Sequence, residues 1–281
     1  MTSEVFFIVL LAAFLHAIWN GILKVDGDRL SVMAVIAAVQ GVISVSLVGF
    51  VPVPNAAAWP FLFSAALLHT GYRLFLLQAY RFGDLSRVYP IARGSAPLIV
   101  AVLAVIVAGE HLSAQSWGAI LVIAFGIMSL ALTRGLDPIR DSHAVLLALG
   151  TGCFAAAYTV IDGLGARHAG SPHSYLIWVF LLDAPVFFTV LLFWKRDSFP
   201  TIPLKRWVAG STAGAAGYVA YWLVIWALSV APMASVSALR ATSILFAVFF
   251  GVVFLKEPLN VLRSAAVTAI AAGVTMLKLS K

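Results

Sequence analysis

Long apolar runs separated by short polar connections recur along the whole chain. A transmembrane helix needs ~20 mostly apolar residues, within a range of about 17–25, to cross a hydrocarbon core ~30 Å thick. Ten runs meet this requirement, and they are approximately Val5–Leu23, Leu30–Val51, Trp59–Phe82, Leu85–Ala108, Ser116–Leu132, Ala144–Gly165, Ser174–Trp194, Trp207–Leu228, Pro232–Phe254 and Asn260–Leu279. Because nine runs follow the first, we expect the first to be a span and not a cleaved signal peptide. The pattern predicts an all-α polytopic membrane protein with ten transmembrane helices.

Composition strengthens this prediction. Of the 281 residues, 62% are hydrophobic and 10% are charged, and the mean hydropathy is +1.03. A soluble domain has roughly 45–50% apolar and about 25% charged residues. The excess apolar surface must face lipid, which excludes a soluble enzyme, a disordered linker and a disulfide-stapled secreted domain. The single cysteine, Cys153, lies in an apolar run and is interpreted as a packing residue.

Basic residues predict the orientation of the spans. The net charge is +7, and of the fifteen Lys and Arg residues other than Arg73, Arg93 and Arg240, twelve lie in odd-numbered connections or at the span ends beside them. Under the positive-inside rule, the odd connections face the cytoplasm and both termini lie outside. We therefore expect a multi-pass protein of the bacterial inner membrane with periplasmic termini. The partner of the positive charge is the lipid bilayer, and no nucleic acid is expected.

The two halves of the chain share spaced residues. Positions that correspond at an offset of 147 residues are Arg93 with Arg240, Glu110 with Glu257, and Gly126 with Gly273. This register predicts two five-helix units, residues 1–133 and 134–281, joined near Thr133–Ser142. Since five is odd, the second unit must enter the membrane upside down, as an inverted repeat. Transporters with such repeats bind substrate near the bilayer midplane, where the repeats meet.

Several segments resemble the EamA-type branch of the drug/metabolite transporter superfamily, including its amino acid exporters. They are Leu15-His16-Ala17-Ile18-Trp19-Asn20-Gly21-Ile22-Leu23-Lys24, Gly83-Asp84-Leu85-Ser86-Arg87-Val88-Tyr89-Pro90-Ile91-Ala92-Arg93-Gly94, Gly109-Glu110 and Lys256-Glu257-Pro258. The resemblance covers the whole chain. It implies ten helices around a central cavity, lined largely by spans 1, 3, 4, 6, 8 and 9, and export of small metabolites. Many ten-span relatives have cytoplasmic termini, and this chain departs from them in its charge bias.

Charged residues within the spans are the first candidates for the substrate site. They are Arg73 with His69 four residues earlier, Arg93, Arg240, Asp183 and Asp162. A charge at mid-bilayer costs at least ~2.5–3.5 kcal/mol, so each should face a cavity or a partner. Three arginines against two acids leave positive charge over, and a guanidinium matches a carboxylate in two parallel hydrogen bonds. We expect a site for an anionic group. The alternative is that Arg93 and Arg240 pair with Glu110 and Glu257 of other helices or with helix-end carbonyls.

Span 4 is predicted to be irregular. Pro90, Gly94 and Pro97 fall within nine residues, and each proline removes a helix hydrogen bond. A broken helix next to Arg93, with Tyr89 and Ser95 beside it, would form a substrate cradle; an ordinary proline kink is the alternative. Candidate hinge or gate residues, all at helix starts or breaks, are Gly83, Pro90, Gly94, Pro97 and Pro232.

Aromatic and polar side chains complete the predicted site. Tyr218, Trp222 and Trp226 recur every four residues in span 8 and could hold an apolar or aromatic side chain; helix packing is the alternative. In span 1, His16, Trp19 and Asn20 are candidates for substrate binding, although His16 and Asn20 also suit interhelical hydrogen bonds.

Enzyme signatures are absent from the sequence. It has no phosphate-binding loop, nucleophile elbow or zinc spacing among its six histidines, so we expect no cofactor and no metal. An intramembrane enzyme using His16, His69 or Asp183 is the alternative. We predict a secondary transporter that exports small metabolites, above all neutral, apolar and aromatic amino acids, by alternating access. Another anionic or neutral metabolite or a drug is the second option, with nucleotide-sugars less favoured because no lysine lies in the interior of a span. Asp183 and Asp162 are candidates for proton coupling, and the fused halves predict a monomer.

Overall fold

The computed structural model describes residues 1–25, 28–82, 85–132, 141–194, 202–256 and 260–280. These residues form eleven α-helices and two short 3₁₀ turns, Val48–Phe50 and Ala56–Ala58, and contain no strand. The α-helices are α1 Ser3–Val25, α2 Arg29–Leu47, α3 Trp59–Phe82, α4 Leu85–Ala108, α5 Ala114–Leu132, α6 Ser142–His168, α7 Pro172–Trp194, α8 Leu204–Val230, α9 Met233–Ala241, α10 Ser243–Leu255 and α11 Val261–Leu279.

Ten helical segments of the described chain are long and apolar enough to cross a membrane. They coincide with the ten runs predicted from the sequence, and α9 and α10 together form the ninth. The prediction of an all-α, ten-span membrane protein is thus confirmed. The predicted junction of the two halves, residues 133–140, lies outside the described residues.

The halves pack against each other along their full length. Helix α3 packs on α6, and α1 packs on α8, two contacts that correspond to each other in the register predicted from the sequence. Likewise α2 contacts α8, and α7 contacts α3. The pairs α2 with α7, α4 with α9, and α5 with α11 each join corresponding helices. The first half therefore does not fold beside the second but is interleaved with it, which places the helices of both halves around one centre.

The helix break falls in span 9 and not in span 4. Helix α4 runs without interruption through Pro90 and Pro97, whereas span 9 divides at Thr242. The prediction of a broken span 4 was therefore wrong, and the proline-kink alternative fits better. A proline removes one hydrogen bond, and the remaining ladder of a long, well-packed helix can continue past it. At Thr242 the side-chain hydroxyl donates to the Leu239 carbonyl at 2.6 Å and the backbone N–H to the same oxygen at 3.1 Å, a tighter turn than the α-helix.

Candidate functional site

A central cavity lies among spans 1, 2, 3, 6, 7, 8 and 9. About 60 Å³ of it admits the centre of a water-sized sphere, enough for a few water molecules. Its walls are formed by Ala12, His16, Trp19, Met33, Ile36, Gln40, His69, Tyr72, Arg73, Tyr158, Phe180, Gly217, Ala220, Tyr221, Val224 and Arg240. Both halves contribute, and cationic and aromatic side chains face the same space. In this conformation the cavity is small and must widen to admit a molecule larger than a few waters.

Asp162 is the centre of a buried hydrogen-bond cluster on one wall. It is fully buried in α6, and its carboxylate lies 2.8 Å from Nε2 of His69 in α3. Tyr175 of α7 donates to the other carboxylate oxygen at 3.1 Å, and Tyr221 of α8 donates to the same oxygen as His69. The His69 ring stacks on Tyr158, with ring centres 4.2 Å apart. One acid thus joins α3, α6, α7 and α8 through its hydrogen-bond partners.

Arg73 does not offer a free guanidinium to the cavity. Its Nη1 lies 2.6 Å from Asp183 of α7, and its Nη2 donates to Gln40 of α2 at 3.0 Å. The guanidinium also lies 5.0 Å above the ring of Phe187. The sequence predicted that the three arginines within the spans would not all have an acidic partner. Arg73 does have one, because Asp183, far away in the sequence, meets it across the interface of α3 and α7. Asp183, a predicted proton-coupling residue, is the counter-charge of Arg73.

Arg93 and Arg240 are different, since neither has a carboxylate partner among the described residues. Arg240 ends α9, where the helix dipole favours a cation, and donates to the Tyr158 hydroxyl at 3.0 Å. Arg93 donates from Nε to the Tyr89 hydroxyl at 3.1 Å, while its buried Nη2 has no partner. The alternative pairing with Glu110 is absent, because Glu110 binds elsewhere, and Glu257 lies outside the described residues.

The tautomer of His16 follows from its neighbour. The indole N–H of Trp19, which can only donate, lies 3.0 Å from Nδ1 of His16. Nδ1 must therefore accept, and the neutral ring carries its proton on Nε2. Nε2 is buried and has no partner in the described chain, and His16 is one of the residues that line the cavity. Asn20 donates to the His16 carbonyl at 2.8 Å and does not line the cavity.

The aromatic face of α8 is turned away from the cavity. Tyr218 bonds Ser44 of α2 at 3.2 Å, and Trp222 donates to His173 at 2.6 Å near the start of α7. The expected Tyr218–Trp222–Trp226 surface is therefore helix packing. The cavity is lined instead by Gly217, Tyr221 and Val224 of the neighbouring face. In a helix that is apolar all round, sequence periodicity does not show which face meets the substrate.

The remaining predicted site and hinge residues lie in helix contacts. Ser95 packs where Gly152 of α6 has no side chain. Gly94 serves close approach, since a Cβ there would lie 2.8 Å from the Ala124 carbonyl oxygen of α5. Pro232 precedes α9 as its N-cap residue, at a helix start as predicted. Gly83 lies outside the described residues. Pro97 borders a second, smaller chamber that contains Arg93 and Arg240.

Two ion pairs, which the sequence had not indicated, join the halves at opposite ends of the bundle. At the end of the bundle that carries the even-numbered connections, Glu110 pairs with Arg167 at 3.0 Å and also accepts the N–H of Met233 at the start of α9. We call this pair the even-side latch. Arg167 further donates to the carbonyls of Leu228 and Ala231. At the opposite end, which carries the odd-numbered connections, Asp28 pairs with Arg206 at 3.2 Å, and we call this pair the odd-side latch. In the part of the chain that the structure describes, no three His, Cys, Asp or Glu side chains form a metal cluster.

Comparisons with known proteins agree with this architecture. Residues 142–279 match the model of the EamA-like transporter family. Uncharacterized transporter YwfM of Bacillus subtilis (strain 168) is 28% identical over 204 residues, which cover 72% of this chain and 68% of that protein. A protein of known crystal structure superposes with a TM-score of 0.80 at 17% identity, covering 99% of this chain and 98% of the other, and this likeness establishes the fold. The resemblance drawn from the sequence motifs is confirmed.

Proposed function

We propose that this chain exports neutral amino acids with apolar or aromatic side chains. The proposal starts from its similarity to EamA-type transporters of the drug/metabolite transporter superfamily. The family is one of transporters, which argues against the intramembrane enzyme considered from the sequence. The observation that carries the proposal is the Arg240 guanidinium, which lies in the cavity wall with no carboxylate partner among the described residues.

The donors of the cavity suit a carboxylate. Arg240 and His16 both line it, and a charged donor makes a hydrogen bond roughly twice as strong as a neutral one. An ammonium group needs acceptors, and two line the same space. The Gln40 amide oxygen accepts from Arg73 and has a second lone pair, and the Tyr72 hydroxyl makes no hydrogen bond in the described structure. A zwitterion can thus be held without a free carboxylate in the wall.

Aromatic walls support an apolar side chain as the third part of the substrate. Trp19, Tyr72, Tyr158, Phe180 and Tyr221 line the cavity. Contact area discriminates weakly, because one methylene is worth only ~1–3 kcal/mol. We expect a promiscuous transporter that requires the carboxylate strictly and tolerates exchange of leucine, methionine and phenylalanine.

The transport cycle is proposed to be alternating access by two inverted repeats. The paired packing of corresponding helices supports the repeat, and the even-side and odd-side latches support two separate gates. The chain would work as a monomer in a bacterial inner membrane, with periplasmic termini. A reporter fused at Lys281 tests the orientation, and a cytoplasmic C-terminus would overturn it.

Liposome flux tests the substrate. Purified protein should exchange labelled leucine, methionine and phenylalanine at similar rates, and the methyl esters should not be transported. Arg240→Gln should abolish flux, while Arg81→Gln, at an exposed arginine outside the cavity, should retain it. Equal flux of an amino acid and its ester would overturn the arginine–carboxylate proposal. Flux that follows an imposed pH gradient would assign proton coupling, and flux indifferent to it would assign uniport.

A further inference from the structure

The second chamber lies between α4, α6 and α9, beside the central cavity. Arg93, Pro97, Tyr158, Thr159, Ser237 and Arg240 are among its walls. About 10 Å³ of it admits the centre of a water-sized sphere, so it holds about one water molecule or an ion of similar size. An amino acid does not fit. Arg240 and Tyr158 line both spaces, which makes Tyr158 the partition between them.

The polar groups of this chamber are rich in donors. Nη2 of Arg93 has no hydrogen-bond partner in the described chain, and the residue is buried, with 6% of its surface exposed. The Ser237 hydroxyl makes no hydrogen bond in the described structure, and Tyr158, which accepts from Arg240, keeps its own O–H to donate. Among the described residues, no carboxylate lines the chamber. This chemistry suits an anion and repels a cation.

The charge balance of the buried core points the same way. Arg73 has Asp183 at 2.6 Å, and His69 has Asp162 at 2.8 Å. Among the described residues, Arg93 and Arg240 lie against aromatic rings and tyrosine hydroxyls, with Tyr89 beside Arg93 and Tyr158 and Tyr221 beside Arg240, and against no carboxylate. A ring quadrupole attracts a guanidinium far more weakly than a counter-ion does in a low-dielectric interior. The two arginines that border this small space therefore lack the carboxylate partner that Arg73 has in the described structure.

We infer that this chamber binds a small monovalent anion of the halide class, held between Arg93 and Arg240 and assisted by the Ser237 hydroxyl. The chamber lies beside the substrate cavity and shares Arg240 and Tyr158 with it, but the inference does not depend on the identity of the proposed substrate. Its size excludes organic anions, and its donor set supplies the hydrogen bonds that a halide loses on leaving water.

Thermal unfolding of the detergent-solubilised full chain tests the inference. At constant ionic strength, sodium chloride and sodium bromide should raise the unfolding midpoint in a saturable manner relative to sodium gluconate. Arg93→Gln should weaken the apparent chloride affinity by at least about tenfold, because it removes a charged donor. Ser237→Ala should weaken it less. Arg73→Gln, a matched change at an arginine that has its own carboxylate, should keep the chloride response whatever its effect on stability.

Bromide-soaked crystals provide a second measurement that needs no variant. An anomalous peak between Arg93 and Arg240 is expected. An equal rise in gluconate, an unchanged chloride affinity in Arg93→Gln, or bromide density that avoids the chamber would each overturn the site. Leucine in gluconate tests the other source of the same chemistry: stabilisation by the amino acid with no response to halide would assign the arginines to the substrate carboxylate and overturn the inference.

Discussion

Ile270 of α11 packs against Gly126 of α5, and Ile123 of α5 packs against Gly273 of α11. A methyl group on Gly126 would lie 2.9 Å from Cγ1 of Ile270, and one on Gly273 would lie 2.7 Å from Cγ1 of Ile123. Both glycines and both isoleucines are related by the same offset of 147 residues. The two helices therefore approach each other through one contact that is used twice.

Valine at either glycine should weaken this contact. Side chains forced into a packed interface cost about 1–3 kcal/mol, and the matching surroundings predict similar losses for Gly126→Val and Gly273→Val. Gly118→Val is the control in the same helix, because its nearest neighbour would be Met276 at 3.8 Å. The unfolding midpoint in detergent measures all three. A loss as large in the control would refute the paired contact as the cause.

The Arg73–Asp183 pair should show strong non-additivity. Removing one member of a buried ion pair leaves an uncompensated charge and costs about 3–5 kcal/mol, whereas replacing both is far milder. We expect Arg73→Gln and Asp183→Asn each to be unstable and the double variant to recover most of the loss. A double-mutant cycle on unfolding free energies measures this coupling, and additive effects would contradict it.

Flux of the double variant separates two roles of Arg73. If the pair is structural, the Arg73→Gln/Asp183→Asn protein should transport amino acids within a few-fold of the wild type. A folded double variant with no flux would instead assign the pair to the transport cycle. Unfolding and flux are measured on the same preparation, so instability and inactivity remain distinct.

The spans could be predicted from the sequence because the bilayer imposes a length and an apolar composition on each helix. Partners of the buried charges could not, since Asp162 and His69 are separated by 93 residues and meet only through helix packing. The face of α8 was also out of reach, because lipid and protein interior favour the same apolar side chains. Tyr221 lines the cavity while Trp222, one position on, bonds His173 at the end of the bundle.

The break in span 9 was missed for a related reason. Prolines indicated span 4, yet the division occurs at Thr242, where a hydroxyl bonds a carbonyl three residues back. Threonine makes such bonds in many unbroken helices, so the residue type alone does not mark a break.

The two latches should control opposite mouths. After Cys153→Ala removes the native cysteine, Val224→Cys reports the cavity near the even side and Met33→Cys near the odd side. Glu110→Gln should raise labelling of Val224→Cys several-fold, since hydrogen bonds to charged groups are worth about 1.5–3 kcal/mol.

Asp28→Asn is the matched change at the other end and should raise labelling of Met33→Cys. Its effect should be smaller, because both side chains of this pair are 31% exposed and an ion pair near the surface contributes about 0.2–1 kcal/mol. Each latch variant should leave the distant reporter unchanged or less reactive. Increased labelling at both mouths by one variant would indicate general loosening in place of a gate.

His16 should act through its Nε2–H. Glutamine can place an amide N–H near the same position and should keep flux within a few-fold, whereas His16→Phe removes the donor and should lower flux about tenfold, the loss of roughly one hydrogen bond. Trp19→Phe removes the donor that keeps the His16 proton on Nε2, and the flux of this variant should lie between those of the glutamine and phenylalanine variants. Initial rates of leucine exchange in liposomes measure the series, and equal rates for the glutamine and phenylalanine variants would rule out the donor role.

Tyr158 and Arg240 border two compartments at once, and this shared wall carries a thermodynamic consequence. An occupant that changes the rotamer or the field of either side chain changes the affinity of its neighbouring compartment. Linkage makes such coupling symmetric: the factor by which an ion in the chamber alters substrate affinity equals the factor by which substrate alters ion affinity. Two binding titrations, each performed with the other ligand absent and then saturating, must therefore give the same coupling free energy.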